Sequence, residues 1–187
     1  AESNTRYAQG GVAAVWDLQK DSYAKHITDT HDAGDGLCRP AVVDAVVEEG
    51  PARVRELIAW GAQFDLDANT ANEGHYHLGR EGGHSEDRIL HHKDLTGLEL
   101  EQTMLHAIAE QANTALHAHH FVLDLITQHH QGRVVTRYTK GITCYGAYAL
   151  DLKSRKIETH TAGITILASG GAGQVYKATT NPMVATG

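Results

Sequence analysis

The sequence predicts an α/β chain, an α+β arrangement with a helical first half and a β-rich second half. Two observations carry this. Helix start and stop signals cluster before residue 110, and short β-branched runs separated by turn residues follow Asn113. The 187 residues are 41% hydrophobic and 21% charged, ordinary values for a domain with a real core.

The elements follow in order. Ser3-Asn4-Thr5-Arg6-Tyr7-Ala8-Gln9 is polar and ends at Gly10-Gly11, after which Val12 to Trp16 reads as a short buried strand. Ser22 is placed to cap a helix running to about Ala33, with Tyr23, Ile27 and Thr30 on one side and Gly34 beyond its end. Pro40 suits the first turn of a second helix, and Pro51 is expected to open a third that runs from Arg53 to Trp60 and closes at Gly61. Asp65 to Lys93, rich in His, Gly, Asn and Asp, lacks periodicity and reads as a long loop of the kind that carries function. From Thr96 a helix is expected, with Leu105, Ile108, Ala109 and Ala112 as its apolar stripe. Six strands are expected after it: Ala115 to Ala118, Phe121 to Thr127, Val134 to Tyr138, Gly141 to Asp151, Lys156 to Thr161 and Ile164 to Ala168. Their close spacing predicts an antiparallel meander, and the last is expected to be a buried strand ending at the turn Ser169-Gly170-Gly171-Ala172-Gly173.

Composition excludes several classes of function. A formal charge of −7 with pI near 6.0 and no Lys/Arg run provides no footprint for nucleic acid. No stretch approaches the roughly 18 apolar residues of a membrane span, and Ala1 to Arg6 has no signal-peptide core, so a cytoplasmic location is expected. Cys38 and Cys144 form neither a disulfide framework nor a thiolate zinc pattern. The 14 histidines invite a metal reading through His75-x-His77, His91-His92, His117-x-His119-His120 and His129-His130. These lie in different elements without helical ligand spacing, so no metal site is expected, and solvated turns and strands account for them.

Glycine pairs let backbone N–H groups approach an anion or a flat ring, and three occur: Gly10-Gly11, Gly82-Gly83 and Gly170-Gly171. Around them stand Ser3-Asn4-Thr5-x-Tyr7-Ala8-Gln9-Gly10-Gly11, then Tyr76-His77-Leu78-x-Arg80-Glu81-Gly82-Gly83-His84-Ser85 with Arg88-Ile89-Leu90-His91 and Asp94-x-Thr96-Gly97. Last come Leu167-Ala168-Ser169-Gly170-Gly171-Ala172, Val175-Tyr176 and Thr179-Thr180-Asn181-Pro182. In this order, along nearly the whole chain, they resemble the L-aspartate oxidase family within the succinate dehydrogenase and fumarate reductase flavoprotein superfamily.

The resemblance implies the FAD-binding domain of the glutathione-reductase-like, fumarate reductase flavoprotein type, here residues 1–187 as a partial domain. The N-terminal βαβ unit with its dinucleotide fingerprint, the capping domain and the C-terminal helical domain fall outside it. It implies an oxidoreductase that converts L-aspartate to iminoaspartate, with O₂ or fumarate as acceptor, in quinolinate and NAD biosynthesis. FAD contacts are implied at Asn4, Thr5, Arg6, Tyr7, Ala8, Gln9, Gly10, Gly11, Gly170 and Gly171. Asn4 stands where covalent members carry histidine, which implies non-covalent FAD. Glu81 stands where the succinate-type branch tends to be apolar, so its carboxylate is the expected partner of an α-ammonium group. Arg80 and His84 are further candidates for orienting a dicarboxylate, with hydrogen bonding inside the loop as the alternative. No catalytic acid or base matches a position in this chain, and the fragment alone is expected to be inactive. The implied partners are L-aspartate and fumarate, with quinolinate synthase or a second copy of the chain. A soluble fumarate reductase or succinate dehydrogenase flavoprotein, and a stand-alone His-rich binding module, remain as alternatives.

Overall fold

The computed structural model describes residues 2–68 and 75–186. They form two compact units, Ala1–Ala112 with Gly171–Gly187, and Asn113–Gly170.

In the first unit, β1 (Val12–Ala13), β2 (Leu78–Gly79) and β3 (Ile89–Leu90) make a small antiparallel sheet in the order β1-β3-β2. Val12 and Leu78 both pair with Leu90, while Ala13 and Gly79 pair with Ile89. The segment expected as an unbroken loop from Asp65 to Lys93 therefore supplies two strands, and Leu66 bridges to Tyr76; its residues 69–74 lie outside the described residues. Two-residue strands leave no alternation to read. Ala14, Val54, Ala62, Phe64 and Leu90 form the core, with Val12, Trp16, Leu57, Ile58, Tyr76, Leu78 and Leu100 packed around it.

Helix α1 (Tyr23–Ala33) starts as expected, with the Ser22 hydroxyl accepting from the Lys25 N–H at 3.2 Å. Pro51 opens no new helix. Helix α2 runs unbroken from Pro40 to Ala59 with Pro51 inside it. Part of the clash that normally pushes the residue before proline out of the helical region comes from that residue's Cβ, and Gly50 has none. Val47, Pro51 and Val54 are the buried positions of α2, at i, i+4 and i+7, so packing of this stripe offsets the hydrogen bond that Pro51 cannot donate.

Helix α3 (Thr96–Ala109) buries Thr96, Gly97, Glu101 and Thr103. The expected stripe is not the buried face. Leu105 is half-buried, Ile108 and Ala109 are exposed, and Ala112 lies beyond the helix end. The buried polar positions face the segment around Thr5–Tyr7, a single 3₁₀ turn, and the Ser3 hydroxyl donates to the Glu101 carboxylate.

The second unit is the antiparallel meander β4 (His120–Thr127), β5 (Cys144–Asp151) and β6 (Lys156–Thr161), with β5 in the middle. A 3₁₀ turn at Gln128–Gln131 follows β4, and the buried Gln128 side chain stitches it down by donating to the Gly141 carbonyl and accepting from the Thr143 N–H. Ala115 to Ala118, Val134 to Tyr138 and Ile164 to Ala168 are not strands. A strand exists only through its ladder, and no partner strand for them occurs among the described residues. Ile164 and Ile166, expected to be buried, are 84% and 85% exposed.

Candidate flavin-domain cleft

Three segments of the first unit converge on one cleft of about 370 Å³, lined by Gln9, Gly10, Gly79, Arg80, Glu81, Ile89, His91, Lys93 and Asp94. The N-terminus of α3 holds the first segment. The Gly97 N–H donates to the Ala8 carbonyl at 2.9 Å, and the Thr96 hydroxyl reaches the Gln9 carbonyl at 3.3 Å while accepting from the His92 N–H at 3.0 Å. A Cβ at residue 97 would collide with the Thr5 carbonyl and the Ala8 side chain, so only glycine permits this approach. The Asp94-x-Thr96-Gly97 motif thus acts as a clamp on Ala8-Gln9.

The second segment leaves β2 through Arg80 and Glu81 and turns at Gly82-Gly83, where the His84 N–H returns to the Glu81 carbonyl at 3.1 Å. The Glu81 carboxylate lies directly over Gly10, in the space a side chain at position 10 would take. It has no hydrogen-bond partner among the described residues. Arg80 donates to the Ser85 carbonyl at 3.2 Å and pairs loosely with Asp87 at 3.7 Å, so its guanidinium is tethered inside the loop at the edge of the cleft.

The third segment is fixed by a residue to which the sequence assigned no role. Arg88 is fully buried: Nε and Nη2 donate to the Asp21 carboxylate at 2.8 and 2.9 Å, and Nη1 donates to Asp29 at 2.5 Å. This ties α1 to β3, which carries Ile89 into the cleft and leads to His91. Burial alone would raise the Asp29 pKa, but the N–H and hydroxyl of Ser85 together with Arg88 outweigh it and hold the carboxyl at about 2. Beyond β3, Asp65 Oδ2 meets His91 Nδ1 at 3.2 Å, and His91 Nε2 meets His77 Nδ1 at 2.8 Å. The middle member of this Asp65–His91–His77 chain, His91, lines the cleft, and the three residues are 12 to 26 positions apart, a separation that conceals the chain in the sequence.

The predicted positions therefore divide. Gln9, Gly10, Arg80 and Glu81 meet in one cleft. Asn4 and Thr5 are exposed, and Asn4 precedes the 3₁₀ turn; the Arg6 N–H donates to the Ser3 hydroxyl, and the Tyr7 hydroxyl donates to Glu2. Ala8 lies under α3, and Gly11 (φ 134°) leads into β1. His84 does not line the cleft. Its ring packs edge-on against His26 of α1 at 5.9 Å, and both Nδ1 atoms are buried with no partner among the described residues. Burial, aided by Arg88 and His84, pushes the His26 pKa down. Gly170 (φ 79°) closes the second unit and Gly171 reopens the first; both are exposed.

Comparison with known proteins places this geometry in a family. The chain is 46% identical over 186 residues to the chloroplastic L-aspartate oxidase of Oryza sativa subsp. japonica, covering 100% of this chain and 27% of that protein. It is 42% identical to L-aspartate oxidase 1 of Ralstonia nicotianae, again over 100% of this chain and 33% of that one. The chain thus spans about a third or less of these relatives. In three dimensions it is similar to an E. coli quinol fumarate reductase (TM-score 0.84, 28% identity, 98% of this chain and 28% of that one). A quinol-fumarate reductase with menaquinol gives TM-score 0.83 at 29% identity, over 99% of this chain and 29% of that one.

The cleft suits a flat ring with a polar rim: Gly79 carries no side chain, Ile89 lines it, the Glu81 carboxylate stands over Gly10, and Arg80 and Lys93 offer positive charge. FAD has these features. With the FAD binding domain family matching residues 1–187 throughout, this chain belongs to the FAD binding domain family.

Proposed function

We propose that this chain is the flavin- and substrate-facing segment of an L-aspartate oxidase, which converts L-aspartate to iminoaspartate for quinolinate and NAD synthesis with O₂ or fumarate as acceptor. The observation that carries this reading is the Glu81 carboxylate, exposed, without a partner among the described residues, and set beside Gly10 in a cleft that also holds Arg80 and Lys93. An amino-dicarboxylate brings one ammonium and two carboxylates, and these groups are complementary to it. The relatives named L-aspartate oxidase support the same assignment.

FAD, when bound, accepts the two electrons of the oxidation. The residues of this chain bind and orient. Gln9 and Gly10 present backbone to the ring, Glu81 pairs with the α-ammonium group, and Arg80 faces a substrate carboxylate. The amide of Asn4 offers no ring nitrogen for a flavin bond, so FAD is held non-covalently; acid precipitation that left flavin in the pellet would refute this. Cytoplasmic placement belongs to the same proposal, and cell fractionation distinguishes it from the chloroplast named for the plant relatives. Quinolinate synthase or a second copy of the chain are the partners proposed with it.

The test is Glu81→Gln in the full-length protein. A charge-assisted hydrogen bond contributes about 1.5–3 kcal/mol, so kcat/KM for aspartate is expected to fall roughly 10- to 150-fold while fumarate reduction changes little. Equal losses in both would remove Glu81 from ammonium recognition. The second reading, a soluble fumarate reductase or succinate dehydrogenase flavoprotein, is favoured by the fold similarity alone. Flavin reduction by succinate and not by aspartate would establish it instead.

A further inference from the structure

We propose that the second unit carries a binding site for a divalent transition-metal ion of the zinc type, built from His117, His120, His160 and Glu158. Three elements converge there. His117 lies in the loop before β4, His120 opens β4, and Glu158 and His160 stand on β6. The outer strands β4 and β6 are separated by β5, so their backbones are about 9.5 Å apart. The register explains how their side chains meet. Ala149 of β5 pairs with Val122 and Glu158, and Ala147 pairs with Leu125 and His160. Alanines at these two positions of the central strand leave room above the sheet for long side chains from either edge, and Ala149 is only 4% exposed beneath them.

Glu158 is the centre. Its Oε2 lies 3.2 Å from His120 Nε2 and 3.2 Å from His160 Nε2. The His117 ring is 5.0 Å from that of His160 and 5.2 Å from that of His120. One ligand atom each from His117, Glu158 and His160 lie within 4.8 Å of one another, and His120, Asp151 and Glu158 satisfy the same condition. A tetrahedral zinc with bonds of about 2.0–2.2 Å needs donors about 3.4 Å apart; the two 3.2 Å contacts of Glu158 match this, and the exposed loop residue His117 closes in to complete the set.

The donor chemistry is selective. Three imidazoles and one carboxylate suit zinc, copper or nickel rather than calcium or magnesium, and four protein ligands fill a tetrahedron, the closed pattern of a structural ion. His120 is preset for the role. Its Nδ1 lies 2.9 Å from the Ala118 carbonyl, which fixes the ring and leaves Nε2 facing Glu158, the outer-shell contact typical of a ligating histidine. An arriving ion replaces the ring protons that Glu158 otherwise accepts, and these are released to solvent. The Asp65–His91–His77 chain has no such convergence, because both nitrogens of His91 are already engaged in a line.

The role is a clip. It joins the loop before β4 to β6 across a sheet whose β4 residues from Phe121 to Asp124 are all exposed. The purified full-length protein with bound FAD, dialysed free of metal and then equilibrated with zinc at neutral pH, is expected to take up one ion per chain. Cobalt(II) is expected to give the intense visible absorption of a tetrahedral site, and zinc to raise the melting temperature. His160→Ala, and separately Glu158→Gln, should weaken binding at least tenfold with flavin content unchanged, whereas His106→Ala, at an exposed position of α3, should not. Absence of stoichiometric uptake, a weak octahedral cobalt spectrum, or undiminished binding in a His117→Ala/His160→Ala double variant would overturn the proposal. If a variant fails to fold, the cobalt spectrum of the unaltered protein decides.

Discussion

Arg88 and Asp21 face each other through two parallel hydrogen bonds of 2.8 and 2.9 Å, with side-chain exposures of 0% and 1%. Removing one partner of such a pair leaves an uncompensated buried charge, at a cost of about 3–5 kcal/mol. Arg88→Met is therefore expected to lower unfolding stability by that amount in denaturant titration. Arg88→Lys should rescue little of it, since an ammonium cannot reproduce the planar fork. The exposed pair Lys20–Asp17 gives the contrast, and Lys20→Met should change stability by less than about 0.5 kcal/mol.

The same cluster sets an acid limit. Asp29 and Asp21 both have folded-state pKa values below their usual carboxylate value, Asp29 at about 2. A depressed carboxyl stabilises the fold above its unfolded pKa near 3.9, and that contribution is lost as pH falls through the folded value. Stability should thus decline between about pH 4 and pH 2. Asp29→Asn should flatten the slope in that window when unfolding midpoints are plotted against pH; an unchanged slope would assign it to other carboxyls.

Gly97→Ala tests the clamp on the first segment. The added methyl meets the Thr5 carbonyl and the Ala8 side chain, and neither is the far end of a flexible group. Either α3 or the Thr5 to Gln9 segment must shift. The expected result is loss of flavin from the full-length protein during gel filtration, with helix content by circular dichroism nearly unchanged.

Gly10 and Glu81 should couple. A methyl at Gly10 takes the space of the Glu81 carboxylate, so Gly10→Ala is expected to raise KM for aspartate severalfold. In a Glu81→Ala background the same change should add little, because the displaced group is gone. A double-mutant cycle on kcat/KM measures this, and additive effects would show that Gly10 acts independently of Glu81.

Features written in local chemistry were legible in the sequence. The Ser22 cap, the Pro40 start of α2, the Lys156–Thr161 strand and the turn following Asp151 depend on residues within a few positions of each other. What failed depended on distant partners. Pro51 stays helical because Gly50 relieves it and Val47 and Val54 pack with it. Ile164 to Ala168 has strand composition but no ladder among the described residues. The cleft was half legible: Gln9, Gly10, Arg80 and Glu81 stood out through their glycine pairs, whereas Lys93, Asp94 and the Asp65–His91 contact come together only because β3 pairs with β1 and β2. The His117, His120 and His160 cluster was hidden in the same way, since its convergence depends on two alanines of the intervening strand.

The grip of α3 on the first segment gives the cleft walls of unequal stiffness. Ser3 is fastened to Glu101 and Ala8 to Gly97, so the strip between them is pinned at both ends to one rigid rod and cannot bow outward alone. Opposite it, Glu81 sits on a turn whose Gly82 has no neighbour within reach of a side chain. A molecule that presses the cleft open therefore meets less resistance at the Glu81 turn than at the strip held by α3.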